Sequence, residues 1–193
     1  YIGLDGSFAS WVGTLVADLQ QPIIFIAEEG TEEEVVTRFS RVGYDNTLGY
    51  LKDGLESWKL ENRDVNHVSC ITVSELEDKM ANDTPTIVDV RKPSEFLAEH
   101  VDGAKNVALD YLNESLSELS KEETNYLHCK SGYRSLIASS ILMYRGYNVV
   151  NITGGFDAVL ELKIIVLLSL NCIISKSFFS SLWNTSFNTK LFM

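Results

Sequence analysis

The sequence predicts an α/β fold with a mainly parallel central sheet and helices on both faces. Between residues 68 and 156, short apolar runs alternate with helical patterns, which is typical of βαβ units with parallel strands. The candidate strand at residues 86–90 is uncharged until its end, as in a strand buried on both faces. With 193 residues, 45% hydrophobic and 22% charged, the chain has the composition of an ordinary globular protein.

The first elements of this pattern each have a local signal. Residues 67–71 form a short strand candidate, and the sequence from Thr72 to Glu75 is typical of a capped helix start. Residues 86–90 form the buried strand. Pro93 is tolerated in the first turn of the short helix that we expect next.

The remaining elements follow the same alternation. In chain order the sequence predicts a strand at 104–107, a helix at 112–119, a strand at 124–128, a helix at 136–144 and a strand at 147–152. The helix at 136–144 stops before Gly146, and the last strand is closed by Gly154 and Gly155.

Cys129 stands between the strand at 124–128 and the helix that follows. In parallel sheets ligands bind outside the carboxyl ends of the strands, which is where this cysteine falls. Main-chain N–H groups and the positive end of the helix dipole converge there, and Arg134 adds a positive charge. These influences favour a nucleophilic thiolate.

The alternative for Cys129 is a buried and inert thiol, which is how most free cysteines behave. Gly132, Arg134 and the helix that follows favour the catalytic interpretation. Cys70 and Cys172 lack such neighbours, and we expect both to be structural. His128 is expected to pack or to form a hydrogen bond at the strand end, whereas Tyr133 either lines a pocket or packs on the helix.

The first sixty residues contain short matches to the second half, which predicts a repeated unit. The predicted organisation is the C-terminal part of a cysteine-free copy at 1–60, a linker at 61–67, a complete copy at 68–160 and a tail at 161–193. The counterpart of the Cys129 loop, residues 26–34, is acidic and would repel an anionic substrate. The tail is either a terminal packing helix or a segment foreign to the domain.

Composition also excludes several classes of function. A net charge of −11 argues against a nucleic-acid partner, since phosphate binding needs clustered Lys and Arg. The longest apolar run of the tail is far shorter than the roughly 20 residues of a membrane span. Three widely spaced cysteines form neither a disulfide framework nor a zinc motif, so we expect no metal and a reducing compartment. That compartment is the cytoplasm, or the mitochondrion in a eukaryote.

Over about residues 68–158 the chain resembles the rhodanese (sulfurtransferase) family. Asp89-Val90-Arg91 followed by Glu95-Phe96 resembles the family's Asp-Val-Arg…Glu-Phe signature. Residues 99–106 resemble its Gly-His-Ile-Pro-Gly-Ala-x-Asn turn, and residues 154–156 resemble its Gly-Gly-x motif. In the turn, Glu99 and Asp102 replace the usual glycine and proline, which leaves the active loop at residues 129–134 intact.

The two-copy arrangement is similar to the C-terminal part of persulfide dioxygenase–rhodanese fusions. There, a metallo-β-lactamase-fold domain precedes an inactive and then an active rhodanese unit. No His-x-His-x-Asp-His motif occurs in this chain, so the resemblance implies that such an upstream domain is absent here. Neither iron nor any other cofactor is therefore expected.

The resemblance implies sulfur transfer through a Cys129 persulfide. Sulfane sulfur would pass from thiosulfate or glutathione persulfide to cyanide, glutathione or sulfite. The implied substrate loop is Lys130, Ser131, Gly132, Tyr133 and Arg134, while Asp89 and Arg91 would brace it as an ion pair. Two alternatives stay open: a non-catalytic rhodanese-like interaction module, and a cysteine phosphatase. A phosphatase loop has the spacing Cys-x5-Arg, one residue longer than the Cys-x4-Arg spacing here.

Overall fold

The structure, a computed structural model, describes residues 1–162 of the chain and begins with a small α/β unit. In chain order its elements are α1 (Phe8–Leu15), β1 (Ile23–Phe25), α2 (Glu32–Ser40), β2 (Thr47–Tyr50) and α3 (Gly54–Leu60). The two strands pair in parallel. We call residues 1–60 the N-terminal unit.

The core of the N-terminal unit lies on one face of its strand pair. Its buried side chains are Phe8, Val12, Phe25, Val35, Phe39 and Tyr44. On the strands, Ile24 is 72% exposed and Leu48 is 65% exposed. The small sheet is therefore covered by apolar side chains on one face and open on the other, because successive strand residues point to opposite faces.

The C-terminal unit is built on a sheet of five parallel strands. These strands are β3 (Ser69–Ile71), β4 (Thr86–Asp89), β5 (Lys105–Asn106), β6 (Asn125–His128) and β7 (Val149–Ile152). They lie in the order β3-β7-β6-β4-β5, and each neighbouring pair is parallel. The predicted α/β class with a mainly parallel central sheet is confirmed.

Helices cover both faces of this sheet. They are α4 (Val73–Asn82), α5 (Pro93–Ala98) and α6 (Tyr133–Tyr144), and residues 155–162 are also helical. Neighbouring residues of β4 show the two faces: Ile87 packs in the cluster that contains Leu76 of α4, and Val88 packs in the one that contains Ile137 of α6. Burial on both faces explains why successive residues inside β4, Ile87 and Val88, are both apolar.

The N-termini of α4 and α5 have the local features that the sequence predicted. The N–H of Glu75 donates to Thr72 Oγ1 at 3.2 Å, and the N–H of Thr72 donates to the Glu75 carboxylate at 2.7 Å, a complete capping box. Pro93 is the first residue of α5. Helix α6 starts at Tyr133, three residues before the predicted start, so the helix N-terminus lies closer to Cys129 than expected.

The prediction of one helix at residues 112–119 is wrong. The structure instead has two short 3₁₀ helices, Leu109–Tyr111 and Leu116–Glu118. Between them, Asn113 and Ser115 are residue types whose side chains compete with the helical backbone for hydrogen bonds. Leu109 and Leu112 are fully buried without a continuous helix.

The predicted tail lies outside the described residues from position 163 onward, and Cys172 lies there too. Within residues 1–162, no helix is both long and apolar enough to cross a membrane.

Trp11 joins the two units. This side chain of α1 is buried in the same apolar cluster as Leu109, Ile137 and Leu142 of the C-terminal unit. Leu15 of α1 packs against the same cluster. Helix α1 therefore packs against α6, which covers one face of the five-stranded sheet. The apolar contact between the two units is part of the core of the C-terminal unit.

We expect Trp11→Ala to lower the free energy of unfolding by about 3–5 kcal/mol, the usual cost of emptying a buried tryptophan site. Trp58→Ala is the matched control, since Trp58 is 36% exposed on α3. Denaturant unfolding of both variants measures the difference. An equal loss of stability in the two variants would contradict the role given to Trp11.

Candidate active site

The loop after β6 points a main-chain donor at a cysteine sulfur. Cys129 directly follows β6, and the N–H of Gly132 donates to Cys129 Sγ at 3.1 Å. Gly132 has a φ of 114°, a backbone conformation that residues with a side chain rarely adopt. A glycine is thus required for the loop to return its N–H to the sulfur, where it stabilises negative charge.

The start of α6 lies next to this sulfur. The N–H groups of Tyr133, Arg134 and Ser135 belong to the first helical turn, where donors have no intrahelical acceptor. They form the positive end of a helix of 12 residues. The loop therefore combines a cysteine sulfur with main-chain groups suited to an anion.

Cys129 is buried beneath this loop. The residue is 0% exposed, whereas Lys130 and Ser131 are exposed. These two side chains lie on the surface, directly after the buried Cys129 in the chain. Lys130 is thus the exposed cation of the predicted substrate loop.

Arg134 is paired with a carboxylate of α5. Its two terminal nitrogens donate to the Glu95 carboxylate at 2.6 and 2.9 Å. These bonds lower the pKa of Glu95 to about 2. The same bonds raise the pKa of Arg134. The predicted positive charge of Arg134 is therefore present but neutralised by Glu95, a partner that the sequence did not reveal.

The turn at Gly154 and Gly155 holds the main chain of the loop. The N–H of Phe156 donates to the Cys129 carbonyl at 2.8 Å, and the N–H of Asp157 donates to the Lys130 carbonyl at 2.9 Å. These donors belong to the first turn of the helix at 155–162. Sequence reasoning found this glycine motif by resemblance and missed its contact with the loop.

Asp89 and Arg91 form a buried ion pair at the carboxyl end of β4. Arg91 Nη2 lies 2.6 Å from Asp89 Oδ2, and the same nitrogen donates to the Glu99 carbonyl at 2.7 Å. The guanidinium carbon lies 4.0 Å from the centre of the Phe156 ring. The pair thus supports the residue that holds the Cys129 carbonyl.

His128 is buried between these groups. Its Nδ1 lies 3.2 Å from the Cys129 carbonyl oxygen, and its Nε2 lies 3.8 Å from Asp89 Oδ2. Nε2 has no hydrogen-bond partner among the described residues. Burial lowers the pKa of His128, so the ring is neutral at pH 7. This geometry matches the predicted packing and hydrogen bonding at the strand end.

The other predicted residues lie apart from this loop. Cys70 is exposed on β3, where its Sγ contacts the Val68 carbonyl and the side chain of Asn151. Residues 1–162 contain no cluster of three or more His, Cys, Asp or Glu side chains that could hold a metal ion.

The parallel sheet and the cysteine loop between β6 and α6 can be compared with known protein families. Residues 72–162 match the rhodanese-like domain family. The chain is 33% identical over 86 residues to the protein YqhL of Bacillus subtilis, a match that covers 44% of this chain and 68% of YqhL. The chain belongs to the rhodanese family.

Two further proteins are similar to this domain. MoeZ of Mycobacterium tuberculosis, described as a probable adenylyltransferase/sulfurtransferase, is 34% identical over 94 residues, which are 47% of this chain and 24% of MoeZ. A solved rhodanese-like domain protein from Staphylococcus aureus is 33% identical, with a TM-score of 0.46, covering 47% of this chain and 90% of that one. The relatives of this domain thus include a protein described as a probable sulfurtransferase.

We expect Gly155→Ala to distort the loop. A Cβ atom there would lie 2.5 Å from the Cys129 carbonyl oxygen and 2.7 Å from that of Lys130, at a φ of 59°. Gly103→Ala is the control, because Gly103 also has a positive φ but has open space around it. The control should cost about 1 kcal/mol for its backbone conformation alone. Gly155→Ala should cost at least 1–2 kcal/mol more, roughly the penalty of an added strained contact, in denaturant unfolding. Equal losses in the free energy of unfolding would contradict the close packing of Gly155 against the loop carbonyls.

The buried imidazole predicts a pH dependence of stability. The folded pKa of His128 lies below its ordinary value of 6.5, so below that pH the unfolded state binds more protons. The contribution of His128 is therefore present above pH 6.5 and is lost as pH falls, by up to about 1.4 kcal/mol per pH unit. Glu95 does not contribute in this window, because its stabilisation is lost only below its ordinary value of 4.5.

The measurement is the free energy of unfolding between pH 7 and pH 5 for the native protein and for His128→Gln. The variant should have a shallower slope, whatever its stability at pH 7. Parallel slopes would show that His128 is not the titrating group.

Proposed function

We propose that the protein is a sulfurtransferase that carries sulfur as a persulfide on Cys129. The Cys129 thiolate attacks the outer sulfur of thiosulfate; a new S–S bond forms and the donor's S–S bond breaks, releasing sulfite with the bonding electron pair. An acceptor such as cyanide then attacks the outer sulfur of the persulfide. The Cys129 thiolate leaves with its electrons and is ready for the next donor.

The observation that carries this proposal is the 3.1 Å contact from the Gly132 N–H to Cys129 Sγ at the start of α6. An N–H group already aimed at the sulfur stabilises the thiolate before attack and whenever the thiolate leaves. The unpaired N–H groups of the first turn would stabilise the outer, negatively charged sulfur of the persulfide.

The charges around the loop favour a small anionic donor. Lys130 is exposed beside the cysteine, whereas Arg134 is neutralised by Glu95 and contributes mainly to the position of α6 against α5. Thiosulfate and glutathione persulfide have the required charge and sulfane sulfur. Glutathione, cyanide and sulfite are the proposed acceptors. We propose no nucleic-acid or membrane partner, and a reducing compartment such as the cytoplasm or the mitochondrion.

A second candidate function is a non-catalytic interaction module. The observation that favours it is the complete burial of Cys129, which leaves the sulfur of the loop unexposed in this conformation. The phosphatase alternative gains no comparable support. Its loop needs an arginine aimed at the phosphate, and the Arg134 guanidinium is bound to Glu95.

The domain organisation stays a prediction. Its support is the shared element order: β1, α2, β2 and α3 follow one another as β6, α6, β7 and the helix at 155–162 do. The N-terminal unit would then be the second half of a cysteine-free copy. Its similarity to persulfide dioxygenase–rhodanese fusions rests on this arrangement.

We expect the native protein to catalyse sulfur transfer from thiosulfate to cyanide, and Cys129→Ser to be inactive because serine cannot form a persulfide. Cys70→Ser and Cys172→Ser are the controls and should stay active. Mass spectrometry of the intact protein after incubation with thiosulfate should show a gain of about 32 Da, one sulfur atom, that is lost in Cys129→Ser.

Three outcomes separate the candidates. Undiminished turnover in Cys129→Ser would refute the mechanism. A folded native protein with neither turnover nor mass gain would favour the interaction module. Hydrolysis of a phosphate ester without a sulfur adduct would favour the phosphatase.

A further inference from the structure

One residue of the Cys129 loop is held by the N-terminal unit. The hydroxyl of Tyr133 donates to the Gly3 carbonyl at 2.6 Å, across 130 residues of sequence. The ring lies against Gly6, where an added methyl group would overlap ring atoms. Burial raises the pKa of Tyr133, so its hydroxyl stays protonated and remains a donor at neutral pH.

The Tyr133 side chain also forms part of a cavity that otherwise belongs to the N-terminal unit. This cavity has a volume of about 690 Å³, and its described lining runs from Tyr1 to Phe39 with Tyr133 as the single contribution from the C-terminal unit. The ring of a loop residue is therefore inserted into the other unit. Of the two roles considered from sequence, lining a pocket describes this contact, but the cavity belongs to the N-terminal unit.

The position of the Tyr133 ring affects the contact at the Cys129 sulfur, because Tyr133 is joined by one peptide bond to the residue that makes that contact. Tyr133 is the first residue of α6, and the residue before it is Gly132, whose N–H donates to Cys129 Sγ. Gly132 has a glycine's conformational freedom at a φ of 114°, so its own backbone does little to fix that N–H. An anchor on Tyr133 restricts the movement of the glycine that precedes it.

We propose that Tyr133 is a positioning residue: Gly3 and Gly6 of the N-terminal unit hold its side chain, and this contact keeps the Gly132 N–H on the Cys129 sulfur. The N-terminal unit, which has no cysteine of its own, thereby tunes the reactivity of the loop. The proposal deepens the proposed sulfur transfer and rests on it for its consequence in turnover. Thiol reactivity tests the contact independently.

Two variants disturb the contact from opposite sides. Tyr133→Phe removes the hydroxyl and keeps the ring, whereas Gly6→Ala forces the ring to move and leaves the loop sequence unchanged. The matched controls are Tyr144→Phe, on the same helix at a tyrosine that is 91% exposed, and Gly13→Ala, at a glycine with open space around it. All four are made with Cys70→Ser and Cys172→Ser, so that Cys129 is the only thiol.

The first measurement is the rate of alkylation of Cys129 by iodoacetamide as a function of pH. Weakening the Gly132 contact should shift the midpoint of this profile to higher pH and slow alkylation at pH 7 by about threefold to tenfold, the effect expected from one lost hydrogen bond. The controls should follow the native profile. A residue that only stabilises the fold would not shift the midpoint.

The second measurement is steady-state sulfur transfer from thiosulfate to cyanide. Both variants should lose about threefold to tenfold in kcat, with little change in the KM for thiosulfate, since Tyr133 acts through the sulfur. Thermal unfolding shows which variants are folded; if Gly6→Ala is not, Tyr133→Phe decides. Alkylation profiles of folded variants that match the controls overturn the proposal. Shifted profiles in a protein without transfer activity support the contact and refute the proposed function.

Discussion

The site depends on how the main chain of Cys129 is held where β6 ends. Its carbonyl accepts the Phe156 N–H at 2.8 Å and lies 3.2 Å from His128 Nδ1. A strand that ends in a tight loop loses its ladder partners, and buried carbonyls need new donors. The helix at 155–162 supplies them from its first turn. The parallel sheet makes this possible, because β6 and β7 are neighbours and end at the same edge.

The buried Asp89–Arg91 pair supports this arrangement by holding neighbouring segments in place rather than by adding to the free energy of unfolding. Burying two charges costs desolvation energy that their attraction only partly offsets, so such a pair is weak evidence for a gain in stability. Its other contacts show what it does. Arg91 binds the Glu99 carbonyl and lies over Phe156, while the Asn106 side chain donates to the carbonyls of Asp89 and Arg91. The pair thus ties β4, β5 and the Phe156 turn together beneath the loop.

The parts that the sequence predicted well are those set by local signals. The central residues of β4 and β6, such as Val88 and Leu127, are apolar because both sheet faces are buried. Thr72 and Pro93 mark helix starts by signals within one turn. The 112–119 region failed because its leucines have a helical spacing while its Asn and Ser residues favour turns. The Arg134–Glu95 pair spans 39 residues and joins two helices, so it follows only from the folded arrangement. The Tyr133–Gly3 contact depends in addition on how the two units pack.

The two sets of contacts that hold the loop also define where it can open. Cys129 is buried, so a donor can reach its sulfur only if the covering segment moves. The first end of the loop is fixed by the bonds from Phe156 and Asp157, and its last residue before α6 is followed by the anchored Tyr133. Between these two fixed points lie Lys130, Ser131 and Gly132, of which the first two are exposed. Opening this segment would move the Gly132 N–H off the sulfur, so access to the Cys129 sulfur and stabilisation of negative charge on it oppose each other.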